Sequence, residues 1–445
     1  MAIRILFADE IGSQLYHAIF SAQFLQFVVA LLFAILFPVT SAAVINYLER
    51  KVLAWIGDRV GPLHTGPHGS LQLIADMGKM FLKEDIHPAN ADKPIFLLAP
   101  AVFIAPMVAS FAVLPFSPYI GIPGTALATG IVYVVAMSSL DIVGVIMAGW
   151  GSNNKYSLIG GLRSAAQMIS YELPLVLSLV GVVMLTSALS GAGVGTISIK
   201  EIIGFQSAGA WPGKGIPFFD FIFEGNTPWA WFILIQPLML LVYYICGLAE
   251  TNRVPFDLPT AESELVAGFL TEYSGLRWAF FFLGEYGNMI VVSAITVSLF
   301  MGGWAGPGVA YLTAPGMAPG WLILGNLLGV LYFVVKVYLL IFVFLWVQGT
   351  LPRLRSDQLM QLAWLILIPL TLSNILLTAL VYLLVSSAHL PNVFFLLALS
   401  LINWAMLLGF IKLIGRATVS ATRRAMAPAL RAQRRAEHAR LAGPI

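Results

Sequence analysis

Nine runs of nearly uninterrupted apolar sequence dominate this chain: roughly Phe24–Leu48, Ile95–Pro115, Leu127–Trp150, Ala165–Leu189, Trp229–Leu248, Trp278–Met301, Trp321–Val347, Leu362–Val385 and Val393–Ile414. Each is long enough to cross the hydrocarbon core of a bilayer, which takes about 20 residues in a helix. A backbone in lipid must satisfy its own polar groups, so runs of this length fold as helices. The short alternating segments of a membrane β-barrel do not occur in the sequence. Composition agrees, with 59% hydrophobic and only 10% charged residues, where a soluble domain carries about 25% charged. The expected fold class is therefore all-α, a polytopic helical membrane protein, with no division into water-soluble domains.

The connections between runs alternate in chemistry. Odd-numbered ones are charged; even-numbered ones, such as 115–124 and 302–320, are rich in Gly and Pro. The charged set carries Arg50, Lys51, Arg59, Lys79, Lys83 and Lys93, then Lys155 and Arg163, then Arg253 and Arg277, then Arg353 and Arg355. With the eight basic residues from Lys412 onward, twenty of the 24 Lys and Arg residues lie on one side. Basic residues mark the cytoplasmic face. This places the charged connections and the basic tail in the cytoplasm and the N-terminus outside. An odd number of spans, eight plus a ninth, gives the same answer. The first 20 residues contain Arg4, Asp9, Glu10 and His17 and do not read as a cleavable signal.

Several cofactor routes are excluded by residue usage. The single cysteine, Cys246, sits in an apolar run, and one thiol cannot hold an iron–sulfur cluster or close an internal disulfide. No glycine-rich nucleotide fingerprint is present. None of the six histidines falls inside an apolar core, where a membrane cytochrome needs paired haem ligands. Any flavin, haem or iron–sulfur cluster therefore belongs to a partner. Nothing suggests a nucleic-acid partner.

The acidic residues are the main functional signal. Asp141, Glu172 and Glu285 fall inside apolar runs. A charge at the bilayer centre costs about 3 kcal/mol on insertion scales, so such residues face a polar cavity and often carry protons. The plainer reading is a buried hydrogen bond or an ion pair, with Lys336 in the seventh run as the available cation. Glu172 lies two residues before Pro174, whose missing N–H frees a backbone carbonyl. That makes the site either a point of water entry or a simple bend. In the fifth connection, AETNRVPFDLPTAESELVAGFLTEYSG, the acids are interleaved with apolar residues. A loop this apolar packs against protein, so its carboxylates are expected to line a buried or half-buried cavity.

The first connection opens with ERKVLAWIGDRVGP. A stop-transfer cluster explains Arg50 and Lys51 but not Glu49, Trp55, Asp58 or Arg59. Beyond it, Leu73, Met77, Met80 and Phe81 recur at helical spacing opposite Asp76, Lys79 and Lys83. This predicts a short amphipathic helix at the membrane surface. Its apolar face lies in lipid or forms one wall of an apolar ligand pocket.

Three stretches carry a family resemblance: YLERKVLAWIGDRVGP followed by GSLQLIADMGKMFLKED, then WGSNNKYSLIGGLRSAAQMISYELP, and AETNRVPFDLPTAESELVAGFLTEYSGLRWAFFFLGEY. Together they closely resemble the quinone-binding membrane subunit of respiratory complex I, called the H subunit in bacteria and subunit 1 in mitochondria. The resemblance covers roughly 24–380. It implies a subunit of the proton-pumping NADH:quinone oxidoreductase of the bacterial inner membrane. Its cytoplasmic loops would form the entry tunnel for ubiquinone or menaquinone, the substrate. The implied tunnel residues are Arg50, Lys51, Trp55, Arg59, Asp76, Arg253 and Asp257. The implied proton-coupling residues are Glu172, Glu250, Glu262, Glu264, Glu272 and Glu285, with Asp141 close to a further acidic position of the family. The implied partners are the hydrophilic iron–sulfur and quinone-site subunits of a peripheral arm, together with small and antiporter-like subunits of a membrane arm.

The chain departs from the family after its eighth run. The segment 389–445 adds a ninth apolar run and a basic tail, and forms a unit separate from 1–388. Two rivals stay open on sequence alone: the related membrane subunit of an energy-converting hydrogenase or formate hydrogenlyase, and a stand-alone ion or solute transporter.

Overall fold

A computed structural model describes residues 22–119, 123–190, 194–207, 231–258, 266–306, 309–313, 319–390, 394–413 and 415. Among these the regular structure is helical. The principal helices are α1 (Ala22–Ile56), α2 (Gln72–Leu82), α3 (Lys93–Phe111), α4 (Gly130–Gly151), α5 (Lys155–Leu189), α6 (Ile199–Ser207), α7 (Phe232–Ile235), α8 (Pro237–Glu250), α9 (Gly275–Phe300), α10 (Pro319–Thr350), α11 (Ser356–Ser387) and α12 (Phe394–Leu413). Seven of them, α3, α4, α5, α9, α10, α11 and α12, are long and apolar enough to cross a membrane. α8 is a shorter apolar helix, and α1 runs for 35 residues. The protein is an integral, polytopic helical membrane protein.

The predicted runs meet helices, with two local departures. Trp229–Leu248 is not one helix within its described part. It breaks at Gln236, between α7 and α8, where Pro237 has no N–H to continue the ladder. α11 contains a π-helical turn, Leu362–Leu367, just ahead of Pro369. Pro174, by contrast, lies inside α5 without ending it.

α9 is the central span. Of its most apolar stretch 78% is buried inside the protein, against 28% for α11. It packs against α1, α3, α8 and α10. Close approach depends on small residues. A Cβ on Gly160 of α5 would stand 2.6 Å from the Cα of Gly268, so α5 touches the backbone of the fifth connection directly. The same connection is pinned by aromatic rings: Tyr273 stacks on Phe96 with centroids 4.2 Å apart, and Phe281 meets it edge-on at 4.9 Å.

The charged connections gather at one end of the bundle. Arg277 pairs with Asp85 at 2.8 Å, Ser274 joins the backbone of Glu84 and Ile86, Asp92 N–H donates to the Gly151 carbonyl, and Leu354 N–H donates to the Pro255 carbonyl. The uncharged connections meet at the other end, where Ile131 N–H donates to the Ile197 carbonyl and Gln206 holds Gly302.

Candidate functional site

At the charged end, three helices and a loop converge on Arg253. Its Nη1 lies 3.5 Å from Glu49 of α1, and its Nη2 lies 3.6 Å from Glu285 of α9. All three side chains are only 11–12% exposed. Tyr286 donates its hydroxyl to Glu49, and Gln348 of α10 donates its amide to the other Glu49 oxygen at 2.9 Å. The guanidinium also lies over the Tyr286 ring, 4.2 Å from its centroid. Asp257 pairs with Arg353 at 3.6 Å and adds to the negative field at Glu285. Burial alone would lower the proton affinity of Arg253. Tyr286, Glu49 and Glu285 more than reverse that and hold it above the usual arginine range. The cation is therefore permanent.

The contacts are ion pairs at long range, not tight hydrogen bonds. Among the described residues Arg253 Nε and Nη2 have no hydrogen-bond partner. Separations of this size are direct ion pairs whose geometry falls short of a good hydrogen bond.

A second polar group lies deeper in the bundle. Asp141 of α4 is fully buried and accepts from the Asn288 amide of α9 at 2.5 Å, while its Oδ1 finds no partner among the described residues. Glu172 of α5 accepts from Ser139 of α4, and Ser138 stands beside Glu250 at the end of α8. Ser138, Tyr243, Glu250 and Asn288, with Ser110, are the polar members of the lining of a small, mostly apolar cavity. The cavity is large enough for about one water molecule. Glu285 and Asn288 are one turn apart on α9, so one stretch of helix carries a member of each polar group.

The remaining predicted residues are dispersed. Arg50 pairs with Asp76 of α2 at 2.7 Å. Lys51 donates to the Pro62 carbonyl at 2.8 Å and helps fold the first connection back. Trp55 is 70% exposed, Arg59 is exposed, and α2 has no buried residue. The apolar side chains of Ile74, Met77 and Phe81 are exposed, as are Trp55 and Val60. Glu272 lies apart from the Arg253 cluster, accepting from Asn154 at 2.6 Å in an open groove beside Asp92 and Lys155. Glu262 and Glu264 fall outside the described residues.

Lys336 does not pair with the intramembrane carboxylates. It donates instead to the carbonyls of Met301, Gly303 and Ala305 at 2.7–3.0 Å. Sequence reasoning missed Tyr286, Asn288, Ser138, Ser139 and Gln348. Asn288 was findable, being one helical turn from Glu285; Gln348 stands at the end of an apolar run and carries no local signal. Among the described residues no group of three or more His, Cys, Asp or Glu side chains is placed to hold a metal.

Carboxylates held by ion pairs and hydrogen bonds on several apolar helices define a membrane protein that keeps titratable groups inside its helical bundle. Similarity to known proteins gives its kind. The NADH dehydrogenase family model matches residues 28–379, and the chain belongs to that family. It is 41% identical over 376 residues to the NADH-quinone oxidoreductase H subunit 1 of Geobacter sulfurreducens, covering 80% of this chain and 95% of that relative. It is 44% identical over 359 residues to the NADH-quinone oxidoreductase H subunit of Brevibacillus brevis, covering 80% and 93%. The same description belongs to a Rubrobacter xylanophilus relative, 44% identical over 341 residues, covering 76% and 90%.

Proposed function

We propose that this chain is the quinone-site membrane subunit of a proton-translocating NADH:quinone oxidoreductase, and that the Arg253 cluster links quinone reduction to proton movement. The observation that carries the reading is the loose, buried Glu49–Arg253–Glu285 arrangement at the charged end of the bundle. It stands one helical turn from Asn288, which bonds Asp141 and lines a small cavity together with Glu250.

In this reading the charged connections face the cytoplasm and bind a hydrophilic subunit that carries an iron–sulfur cluster. The bare apolar side of α2, with Trp55 and Val60, forms one wall of the passage from lipid to that interface. Arg50, Lys51, Arg59 and Asp76 line its polar side, with Arg253 and Asp257 at the inner end. Electrons from the partner and protons from this neighbourhood convert the quinone to quinol. Negative charge arriving in a cavity of low dielectric raises the proton affinity of nearby carboxylates. Glu285 takes up a proton because the permanent charge of Arg253 is shared with Glu49. The disturbance passes along Asn288, Glu250 and Glu172 toward membrane-arm partners. Glu262, Glu264 and Glu272 supply protons from the loop side.

The test uses the assembled complex with Glu285→Gln. The expected outcome is normal assembly with quinone-linked proton transfer strongly reduced. Full pumping by that variant would count against the proposal. Co-purification of the wild-type chain with flavin- and iron–sulfur-bearing subunits is the companion measurement; purification as a lone, active transporter would end the reading.

A further inference from the structure

The far end of α9 contains a buried polar arrangement that the proposed function does not use. Helix C-termini leave their last carbonyls without intrahelical partners. Gln206 of α6 serves two of them here: its amide donates to Ser298 at 3.2 Å and Leu299 at 3.1 Å. Its carbonyl oxygen accepts from the N–H groups of Gly302 and Phe232.

The next carbonyls converge on a single point. Gly302 (φ +72°) and Gly303 (φ +54°) take left-handed backbone conformations, which glycine adopts without steric cost. A Cβ on Gly302 would reach 2.8 Å from the Trp231 ring, and one on Gly303 would reach 2.5 Å from Ile203. The turn brings the carbonyls of Met301, Gly303 and Ala305 within 2.8, 3.0 and 2.7 Å of the Lys336 ammonium. The Trp231 ring lies beneath it, 4.4 Å from the nitrogen.

We propose that the Met301, Gly303 and Ala305 carbonyls and the Trp231 ring form a binding cup for a primary ammonium group, which Lys336 fills from within the chain. An ammonium has three donors and no acceptor, and the cup presents three acceptors. The indole face attracts a cation, and the helix C-terminus adds partial negative charge. A guanidinium, being a planar fork, cannot direct three donors to three converging oxygens. A quaternary ammonium has no donor at all. The cup is thus selective for one class of cation, and its tether fixes the end of the helix that also carries Glu285, Tyr286 and Asn288.

The experiment reads thermal stability of the chain in its purified complex, so it does not depend on the quinone reading. Lys336→Ala removes the equivalent of propylammonium. The expected result is a melting temperature lowered by several degrees and restored, saturably, by added propylammonium. 1-Propanol and guanidinium are expected not to restore it. Equal rescue by propanol, or no rescue by propylammonium, overturns the cup as a cation site. Should Lys336→Ala fail to accumulate, two further variants decide. Lys336→Met keeps the length without the charge, and Lys336→Arg keeps the charge without the three-way geometry. Both are expected to melt below the wild type, and wild-type melting by either one overturns the proposal.

Discussion

Toward its two ends, α9 meets charge in opposite ways. At the loop-rich end Arg253 stands 3.5 and 3.6 Å from Glu49 and Glu285, with two of its nitrogens lacking hydrogen-bond partners among the described residues. At the other end Lys336 donates to three carbonyls at 2.7–3.0 Å. Carbonyls do not titrate, so the partners of Lys336 keep the same charge whatever the proton or electron state nearby. Carboxylates do titrate, and pairs without tight hydrogen bonds can rearrange when one partner gains a proton. The difference separates a structural charge from one suited to chemistry. It also shows why burial alone does not mark a functional site.

The contrast can be broken most sharply at Arg253. Replacing it with Met leaves Glu49 and Glu285 buried together without their cation, a loss of about 3–5 kcal/mol for a broken buried pair. The expected outcome is little or no assembled complex, measured as chain recovered after purification. Adding Glu285→Gln to that variant should recover part of the yield, since one of the uncompensated charges is gone. Unchanged yield in the single variant would mean that the pairing contributes nothing.

The next effect is at the opposite end. Lys336→Met orphans buried carbonyls, each worth about 1–3 kcal/mol when left unsatisfied, and should lower the melting temperature while leaving the pH dependence of activity unchanged. Glu285→Gln should do the reverse. Its fold and assembly should persist, while proton transfer linked to quinone reduction falls by about 100-fold or more, in the range found when an acid–base group is removed. If Lys336→Met reshaped the pH profile and Glu285→Gln only lowered stability, the assignment of fixed and working charge would be inverted.

The smallest effect concerns α12. Asn374 of α11 donates to Asn403 of α12 at 2.7 Å, and Ser400 and Trp404 both donate to the Leu234 carbonyl ahead of the break at Gln236. Interhelical hydrogen bonds of this kind average about 0.6 kcal/mol in membranes. Asn403→Leu should therefore shift the melting temperature only slightly and leave quinone reduction intact.

Much of the architecture is legible in the order of residues along the chain, for a local reason. The short amphipathic helix expected from Leu73 to Phe81 is α2, Gln72–Leu82. The gathering of charged connections at one end follows from alternation of apolar runs. The candidate site is legible only in part. Asp141, Glu172 and Glu285 stand out because charge in an apolar run is costly, but their partners do not. The acids of the fifth connection read as one group, yet Glu272 bonds to Asn154 and Asp257 pairs with Arg353. Proximity in a loop says little about which neighbour each side chain meets.

What the chain's sequence determined by itself is where helices form and which connections share a side. Both follow from constraints acting on consecutive residues: lipid forces each apolar run to satisfy its own backbone, and basic residues stay out of hydrocarbon. What only the tertiary structure decided is which faces meet. Glu49 and Gln348 are 299 residues apart, and no periodicity within α1 or α10 says that they touch. Their meeting, the seating of Arg253 between Glu49 and Glu285, and the capture of Lys336 by a glycine turn depend on close packing of several helices at once. No single stretch of residues encodes that.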